Sequence, residues 1–421
     1  MTYKELPENI KLKLAGCEPV DILVGVPSYN NAATIGHVVR AILAGLAKYY
    51  PDRRAIVINS DGGSTDGTPE SVLSANIEDP RLLLVAHPLR PVHRISTPYH
   101  GIPGKGSAFR TIFQIAEILN ASFCAVFDSD LRSITPEWIQ LLLQPQISHG
   151  YDFVAPYYLR HKYDGTITNS IIYPLTRALY GKRIRQPIGG DFGFNGKLAR
   201  HFLTKDVWGT DVARYGIDIW MTTSALTGGF SVCQSFLGAK LHDAKDPGAD
   251  LSAMFHQVLS SVFRLMEINE PLWTVVDRSD EVPVFGMPYD VGLEPLQVNT
   301  QRMRDLFLQG LTDLSPIWSQ ILAEDNLRAV AGIASGMDHG FCFPDQTWVR
   351  VVYDFAAAYH HKRIHQEHLL RSFTPLYLGR TASFFLEVAD IQAPQVEERI
   401  EKLCHAYEVS KNYLVQRWRS P

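Results

Sequence analysis

The sequence predicts an α/β protein, with a mostly parallel sheet layered by helices and then a helical C-terminal region. Three observations carry this. Short β-rich apolar runs recur between about residues 20 and 240. Apolar residues at helical spacing fill the intervals, and strand–helix–strand alternation of this kind builds parallel sheets with right-handed crossovers. Beyond about residue 250 the strand signal fades and only the helical spacing persists.

Taken in order, Asp21–Val26, Ala55–Asn59, Leu82–Ala86 and Phe123–Phe127 are nearly continuous apolar runs, as expected of strands covered on both faces. Phe153–Tyr157 is a further strand. Ile35, Val38, Val39, Ile42, Leu43 and Leu46 recur at i, i+3, i+4 spacing and predict a helix over Ala33–Tyr49. Ala108, Phe109, Ile112, Phe113, Ala116 and Leu119 predict another over Ser107–Leu119. In the C-terminal part, Met254, Phe255, Val258, Leu259, Val262, Phe263 and Met266 form one apolar stripe. Further helical patterns cover about 300–324, 346–363 and 393–418. Val275–Leu296, acidic and holding Pro283, Pro288 and Pro295, reads as a loop or linker. A boundary near residue 250 is expected, with an α/β part over 1–250 and a helical part over 251–421 that serves packing or the contacts of a homo-oligomer, or closes over a site on the α/β part.

Composition bounds the function. The chain has 421 residues, 46% hydrophobic and 20% charged, with net charge −4. Its pI of 6.4 excludes a generally basic nucleic-acid binder, for which a pI above about 9 is expected. Cys17, Cys124, Cys233, Cys342 and Cys404 are scattered and never form a CxxC pair. A disulfide framework and a structural zinc site are therefore not expected, and a reducing, cytoplasmic compartment is. The N-terminal stretch has no signal-peptide apolar core, and no apolar run approaches the ~18 residues of a membrane span.

In open α/β sheets, ligands bind outside the carboxyl ends of the strands. Pro27-Ser-Tyr-Asn30 follows the first predicted strand, Ser60–Thr68 the second, and Asp128-Ser-Asp130 the run Phe123–Phe127. Within Ser60–Thr68, Asp61 and Asp66 can accept hydrogen bonds from a nucleotide base or ribose, and Asp66 can also cap the next helix. Asp128 and Asp130 leave one strand end together, and two close carboxylates are costly unless a cation compensates. Hard oxygen ligands suit Mg²⁺ or Mn²⁺ shared with substrate phosphates. Gly104 and Lys105, in Pro103-Gly-Lys-Gly-Ser107, precede a helix and would suit a phosphate. The segment lacks Walker A spacing, and no GxGxxG follows the first strand.

The order PSYN, DGGSTDGT, PGKGSA, FDSD resembles that of the nucleotide-diphospho-sugar glycosyltransferases of GT-A fold, which are Rossmann-like, and within them the bacterial family 2-like group. Arg160–Thr168, Arg185–Asp191, Tyr215–Asp218 and Gly238-Ala-Lys-Leu-His242 resemble segments of the retaining synthases of glucosyl-3-phosphoglycerate, glucosylglycerate and mannosylglycerate. The resemblance covers about residues 20–270 and the remainder only in helical character. It implies a divalent metal on Asp130, with Asp128 nearby and His242 completing the set. It implies a nucleotide-diphosphate sugar donor held by Pro27, Tyr29, Asn30, Asp61, Gly104, Lys105, Ser129, Gln186, Gly189 and Gly190. A glycerate or phosphoglycerate acceptor would meet Arg160, Lys162, Thr166 and Thr168, and Asp191 and Asp218 would bond sugar or acceptor hydroxyls.

Lys105 and the metal would neutralise the leaving diphosphate. Retention is the outcome the resemblance implies, and it requires no enzyme nucleophile. Inversion would need a base, for which Asp218 is placed. A sugar-nucleotide pyrophosphorylase is the alternative chemistry, although PSYN stands where its glycine- and arginine-rich loop is expected. A non-catalytic nucleotide-sugar binder is a further alternative. Gln416-Arg-Trp418 shares letters with the QxxRW signature of processive synthases but not its spacing, and reads as helix surface.

Overall fold

The computed structural model describes residues 6, 8–15, 17–75, 93–98, 102–241, 252–288, 293, 296–335 and 340–420. The chain forms two compact units. Neither is continuous in sequence: residues 1–159, 184–243 and 282–293 make the first, and 160–183, 244–281 and 294–421 the second. The single boundary expected near residue 250 is thus replaced by several crossings.

The first unit is built on an eight-stranded sheet. Its strands are β1 (Ile22–Ser28), β2 (Ala55–Asp61), β3 (His93–Pro98), β4 (Phe123–Val126), β5 (Phe153–Leu159), β7 (Phe192–Asn195), β8 (Val232–Ala239) and β10 (Val284–Phe285). Two further short strands, β6 (Lys182–Arg183) and β9 (Asp280–Glu281), pair with each other in the second unit. The sheet order is β10-β8-β5-β7-β4-β1-β2-β3. Every neighbouring pair is parallel except those of β7, which runs antiparallel to both β4 and β5. The expected mostly parallel sheet is present. The predicted strand at Leu82–Ala86 lies outside the described residues.

The reversal at β7 positions the site. Phe192 pairs with Val126, so the residue entering β7, Asp191, meets the segment leaving β4, in which Asp128-Ser-Asp130 follows Phe127. Lys240 directly follows β8, which pairs in parallel with β5 on the far side of β7. A bulge between Tyr157 and Tyr158 in β5 locally re-aims the strand beside the same end, a frequent role of bulges near functional sites.

Packing follows the sequence pattern. β1 and β2 are buried along their whole lengths. The helix Ala32–Tyr49 buries Ile35, Val38, Val39, Ile42 and Leu46 against one sheet face, with Trp138, Ile139 and Leu142 from the helix Pro136–His149 in the same cluster. The helix Lys105–Ile118 inserts Phe109, Ile112 and Phe113, and the Phe113 ring meets Phe194 edge-on at 5.3 Å. Gly25 in β1 permits that approach, because a Cβ there would lie 2.7 Å from Ile112. Each such large apolar side chain contributes about 1.5–3 kcal/mol by leaving water. At the sheet edge, Val284 and Phe285 pair with Gln234 and Ser235, and Phe285 packs on Tyr151 and His149. That pairing draws part of the expected Val275–Leu296 linker into the first unit.

The second unit is helical, as the C-terminal pattern predicts. Its long helices are Ser252–Ile268, Thr300–Ile321, Asp345–His360, Gln366–Val388 and Ala393–Val409. The pattern over 393–418 is two helices, Ala393–Val409 and Lys411–Arg419, interrupted at Ser410. Glu324–Ser335 and Gln366–Val388 are additional to the expected set. Gln366–Val388 hides residues all round, including Ser372, Ser383 and Arg380, so no amphipathic stripe marks it. Arg380 is fully buried and answered by Asp345, Glu387 and the carbonyl of Phe343. Trp418 corrects the expectation for Gln416-Arg-Trp418: Gln416 is exposed, but Trp418 is buried edge-on to Trp273 and stacked on His360 at 4.2 Å. Among the described residues no helix is long and apolar enough to cross a membrane.

Candidate active site

The loops after β1 and β2 are tied together by their own polar side chains. Asn30 takes a left-handed backbone (φ 53°), a conformation Asn tolerates better than most residues. Its N–H donates to Ser64 Oγ, and its Oδ1 accepts from the Thr65 N–H. Asp61 accepts from Ser28 Oγ, Ser64 Oγ and the Gly63 and Ser64 N–H groups, so both its oxygens are engaged within the turn. Asp66 binds the Ala32 N–H and both donors of Thr68, beside the start of the helix Thr68–Ser74. Pro27 is buried in β1, while Tyr29 presents its ring to solvent at 63% exposure. Ser129 joins this region to the third motif: its hydroxyl donates to Asn31 Oδ1, and its carbonyl accepts from Thr34 Oγ1.

At the end of β4 the carboxylates meet two lysines. Lys105 Nζ lies 2.8 Å from Asp128 Oδ1. It also sits 3.1 Å from each Asp218 oxygen, donating to Oδ2, while Oδ1 of this buried carboxylate receives no directed hydrogen bond. Lys240 Nζ donates to Asp128 Oδ2 at 2.8 Å, Asp191 Oδ2 at 2.9 Å and the Gly189 carbonyl at 2.7 Å. Asp191 is 0% exposed. Its Oδ1 accepts from the Asp128 N–H, and its Oδ2 accepts from Tyr158 OH as well as Lys240. The expectation that Asp191 bonds sugar or acceptor hydroxyls therefore meets a carboxylate whose two oxygens the protein already holds.

Burial opposes ionisation of Asp128, but Lys105 and Lys240 outweigh it and hold the carboxyl far below the usual range. Burial also works against the charge on Lys105, and Asp128 and Asp218 more than restore it, raising its pKa. For Asp191 and Asp218 burial prevails: both are raised, with the Asp128 charge adding to the shift and the lysines only partly offsetting it. The site thus pairs one firmly ionised carboxylate with two whose protons are held more tightly.

The glycines serve contacts that a side chain would block. Gly190 has φ +92°, and a Cβ there would run into the Asp128 carboxylate and come within 3.0 Å of Lys240 Nζ. A Cβ on Gly189 would strike Pro156, and one on Gly104 would lie 2.6 Å from the Ala213 carbonyl. The Gly106 N–H donates to the Arg214 carbonyl. The glycines flanking Lys105 therefore bring the helix start against residues 212–214. Gln186 is buried, with its side-chain amide bonded to the N–H and carbonyl of Tyr158.

The four residues expected on the acceptor side belong to the helical unit. Arg160 pairs with Asp164 at 3.0 Å. Lys162 donates to the carbonyls of Ala389 and Ile391, where its charge suits the C-terminal end of the helix Gln366–Val388. Thr166 shares a hydrogen bond with Tyr377 OH, and Thr168 is buried at the start of a π-turn over Thr168–Ile172. The Ser170 carbonyl in that turn accepts from Trp348 Nε1 and Tyr407 OH.

Asp130 is half-buried, and no described residue forms a hydrogen bond or ion pair with its carboxylate. With Asp128 Oδ1 it supplies the hard oxygen donors that Mg²⁺ or Mn²⁺ prefers, beside a cluster in which carboxylates outnumber ammonium groups. Among the described residues no three His, Cys, Asp or Glu side chains converge as a complete metal set. His242, expected to complete it, lies outside the described residues. Lys240 and Tyr158 escape sequence reading. The one signal for Lys240 is a lysine ending the apolar run of β8 directly before Leu241 and His242.

Residues 23–208 match the family model described as Glycosyl transferase family 2. The chain is 30% identical over 139 residues to a glucosyl-3-phosphoglycerate synthase of Persephonella marina (strain DSM 14350 / EX-H1), a match covering 29% of this chain and 34% of the relative. The chain thus spans about a third of the length of that curated relative. Among solved structures, it is similar to glucosyl-3-phosphoglycerate synthase from Mycobacterium tuberculosis in complex with Mg²⁺ and uridine diphosphate. That match has 22% identity, covers 63% of this chain and 85% of the other, and has a TM-score of 0.44. The same enzyme in complex with Mn²⁺, uridine diphosphate and glucosyl-3-phosphoglycerate matches at 22% identity over 62% and 86%, also with a TM-score of 0.44.

Proposed function

We propose, on the premise that the chain carries a glycosyl transferase family 2 domain, that it moves a hexose from a nucleotide-diphosphate sugar to a glycerate-type acceptor. The observation that carries this reading is the Asp128-Ser-Asp130 turn after β4, where Asp130 is unengaged among the described residues and Asp128 faces Lys105. The matched segment of a glucosyl-3-phosphoglycerate synthase supports the acceptor class.

Asp130 and Asp128 would hold Mg²⁺ or Mn²⁺, with His242 as a third ligand. When bound, the ion supplies Lewis-acid neutralisation of the leaving diphosphate. Lys105 adds a second positive charge at the same carboxylate. Tyr29 offers an exposed ring to the base, and Asp218 Oδ1 is a buried acceptor ready for a hydroxyl. Arg160, with Lys162, Thr166 and Thr168 on the same segment, is the guanidinium suited to an acceptor carboxylate or phosphate.

Retention is the reading we favour. The acceptor hydroxyl attacks the anomeric carbon from the leaving-group face and passes its proton to the departing phosphate oxygen. Asp191 lies buried with its oxygens occupied, so it does not serve as an enzyme nucleophile. One observation favours a second reading, inversion with Asp218 as base: its Oδ1 receives no directed hydrogen bond among the described residues, and its pKa is raised by burial. A matrix of nucleotide sugars against glycerate and phosphoglycerates, scored by nucleoside diphosphate release, tests the function. Release only in the presence of a glycerate-type acceptor is the expected result. Pyrophosphate release from a nucleoside triphosphate and a sugar phosphate would overturn it in favour of a pyrophosphorylase.

A further inference from the structure

Lys240 is the most completely engaged cation of the site. Its side chain is 4% exposed, and among the described residues it donates to Asp128 Oδ2, Asp191 Oδ2 and the Gly189 carbonyl. An ammonium has three protons to give, so none remains for a ligand. Through these bonds the residue after β8 is joined to the segment leaving β4 and to the turn entering β7. Gly190 leaves the room for it. Lys105 differs: it is 16% exposed and touches the other Asp128 oxygen, Oδ1.

We infer that Lys240 is a positioning residue that commits Asp128 Oδ2 inward and leaves Oδ1 as the only oxygen of Asp128 available to a ligand. This rests on the reading of Asp128 and Asp130 as cation ligands. Asp128 would then offer a divalent ion the oxygen that Lys105 Nζ approaches at 2.8 Å. Asp191 acts alongside Lys240. It accepts from the Asp128 N–H and from Lys240, fixing backbone and side chain of one residue from one buried carboxylate. Partners that orient a metal ligand in this way typically change metal affinity by about 10–100-fold when removed.

The test is Mn²⁺ binding, read by electron paramagnetic resonance on the donor-free full chain, alongside thermal melting. Lys240→Met is expected to weaken Mn²⁺ binding about 10-fold or more. A role of charge alone predicts the opposite sign, because removing a positive charge beside the site should tighten cation binding. Lys240→Arg keeps the charge but not the three-point geometry, and is expected to weaken binding as well. In Lys240→Met with Asp191→Asn, the buried carboxylate that the first change leaves unpaired is gone, so the melting midpoint recovers while Mn²⁺ binding stays weak. Tighter binding in Lys240→Met, unchanged binding in Lys240→Arg, or recovery of binding together with the midpoint would each overturn the inference. An unaltered chain that binds no Mn²⁺ would sink both this inference and the metal reading. One that binds Mn²⁺ but transfers no hexose would sink the transfer reading alone.

Discussion

Gly190 packs its bare α-carbon against the Asp128 carboxylate, so that any Cβ at position 190 would collide with Oδ2. Its backbone is also left-handed, at φ +92°, which costs a residue with a side chain about 1–3 kcal/mol. Gly190→Ala should therefore lose at least ~2 kcal/mol of stability in urea melts and most nucleoside diphosphate release. A variant that melts and turns over like the unaltered chain would show that the turn before β7 does not set the Asp128 geometry.

Asp130 has no described hydrogen bond or ion pair to lose. Asp130→Ala should leave the melting midpoint within a few degrees, since surface-type changes fall within about 0.5 kcal/mol, while abolishing Mn²⁺ binding and transfer. Near-normal transfer at saturating Mg²⁺ and Mn²⁺ would remove Asp130 from the metal.

Arg160→Ala should raise the KM for the acceptor about 10–100-fold, the loss expected for charge-assisted hydrogen bonds of about 1.5–3 kcal/mol, and leave the donor KM nearly unchanged. Steady-state kinetics with each substrate varied in turn make the comparison. Equal effects on both constants would argue that Arg160 acts through its pair with Asp164 and not on the acceptor.

Lys411 offers a pH test confined to the helical unit. Burial lowers its pKa to about 8, with Asp277 only partly opposing, and its ammonium donates to the Val276 carbonyl. The folded chain gives up this proton earlier than the unfolded one. Between pH 8 and the unfolded value near 10.5, the unfolded state therefore binds more protons and this group adds stability as pH rises. Below pH 8 its charged form is carried at a cost. Lys411→Met should raise the melting midpoint at pH 7 and flatten its rise between pH 8 and 10. A lower midpoint at pH 7 would mean that the bond to Val276 outweighs the burial of the charge.

The motifs at the strand ends are legible because parallel strands and their carboxyl-end loops write local signals: a continuous apolar run, then turn residues. Pro27–Asn30, Ser60–Thr68 and Asp128–Asp130 all stand at the ends of described strands. What brings Lys240, Asp191 and Asp128 together is non-local. Lys240 is 112 residues from Asp128 and 49 from Asp191, and the strand that unites them, Phe192–Asn195, is too short to show alternation. The helix Gln366–Val388 stays hidden for another reason: it is buried on every side and carries Arg380, Ser372 and Ser383 inward, so its period is not written in hydrophobicity. The same holds for Val284 and Phe285, whose pairing with β8 no proline-bearing linker announces.

The anomeric configuration of the product tests the central claim of hexosyl transfer with retention most directly. Nuclear magnetic resonance of the glycoside formed from an α-configured nucleotide sugar and the acceptor that supports nucleoside diphosphate release should show an α linkage to that acceptor. A β-linked product would contradict retention and assign Asp218 as base, and free hexose with no glycoside would contradict transfer itself.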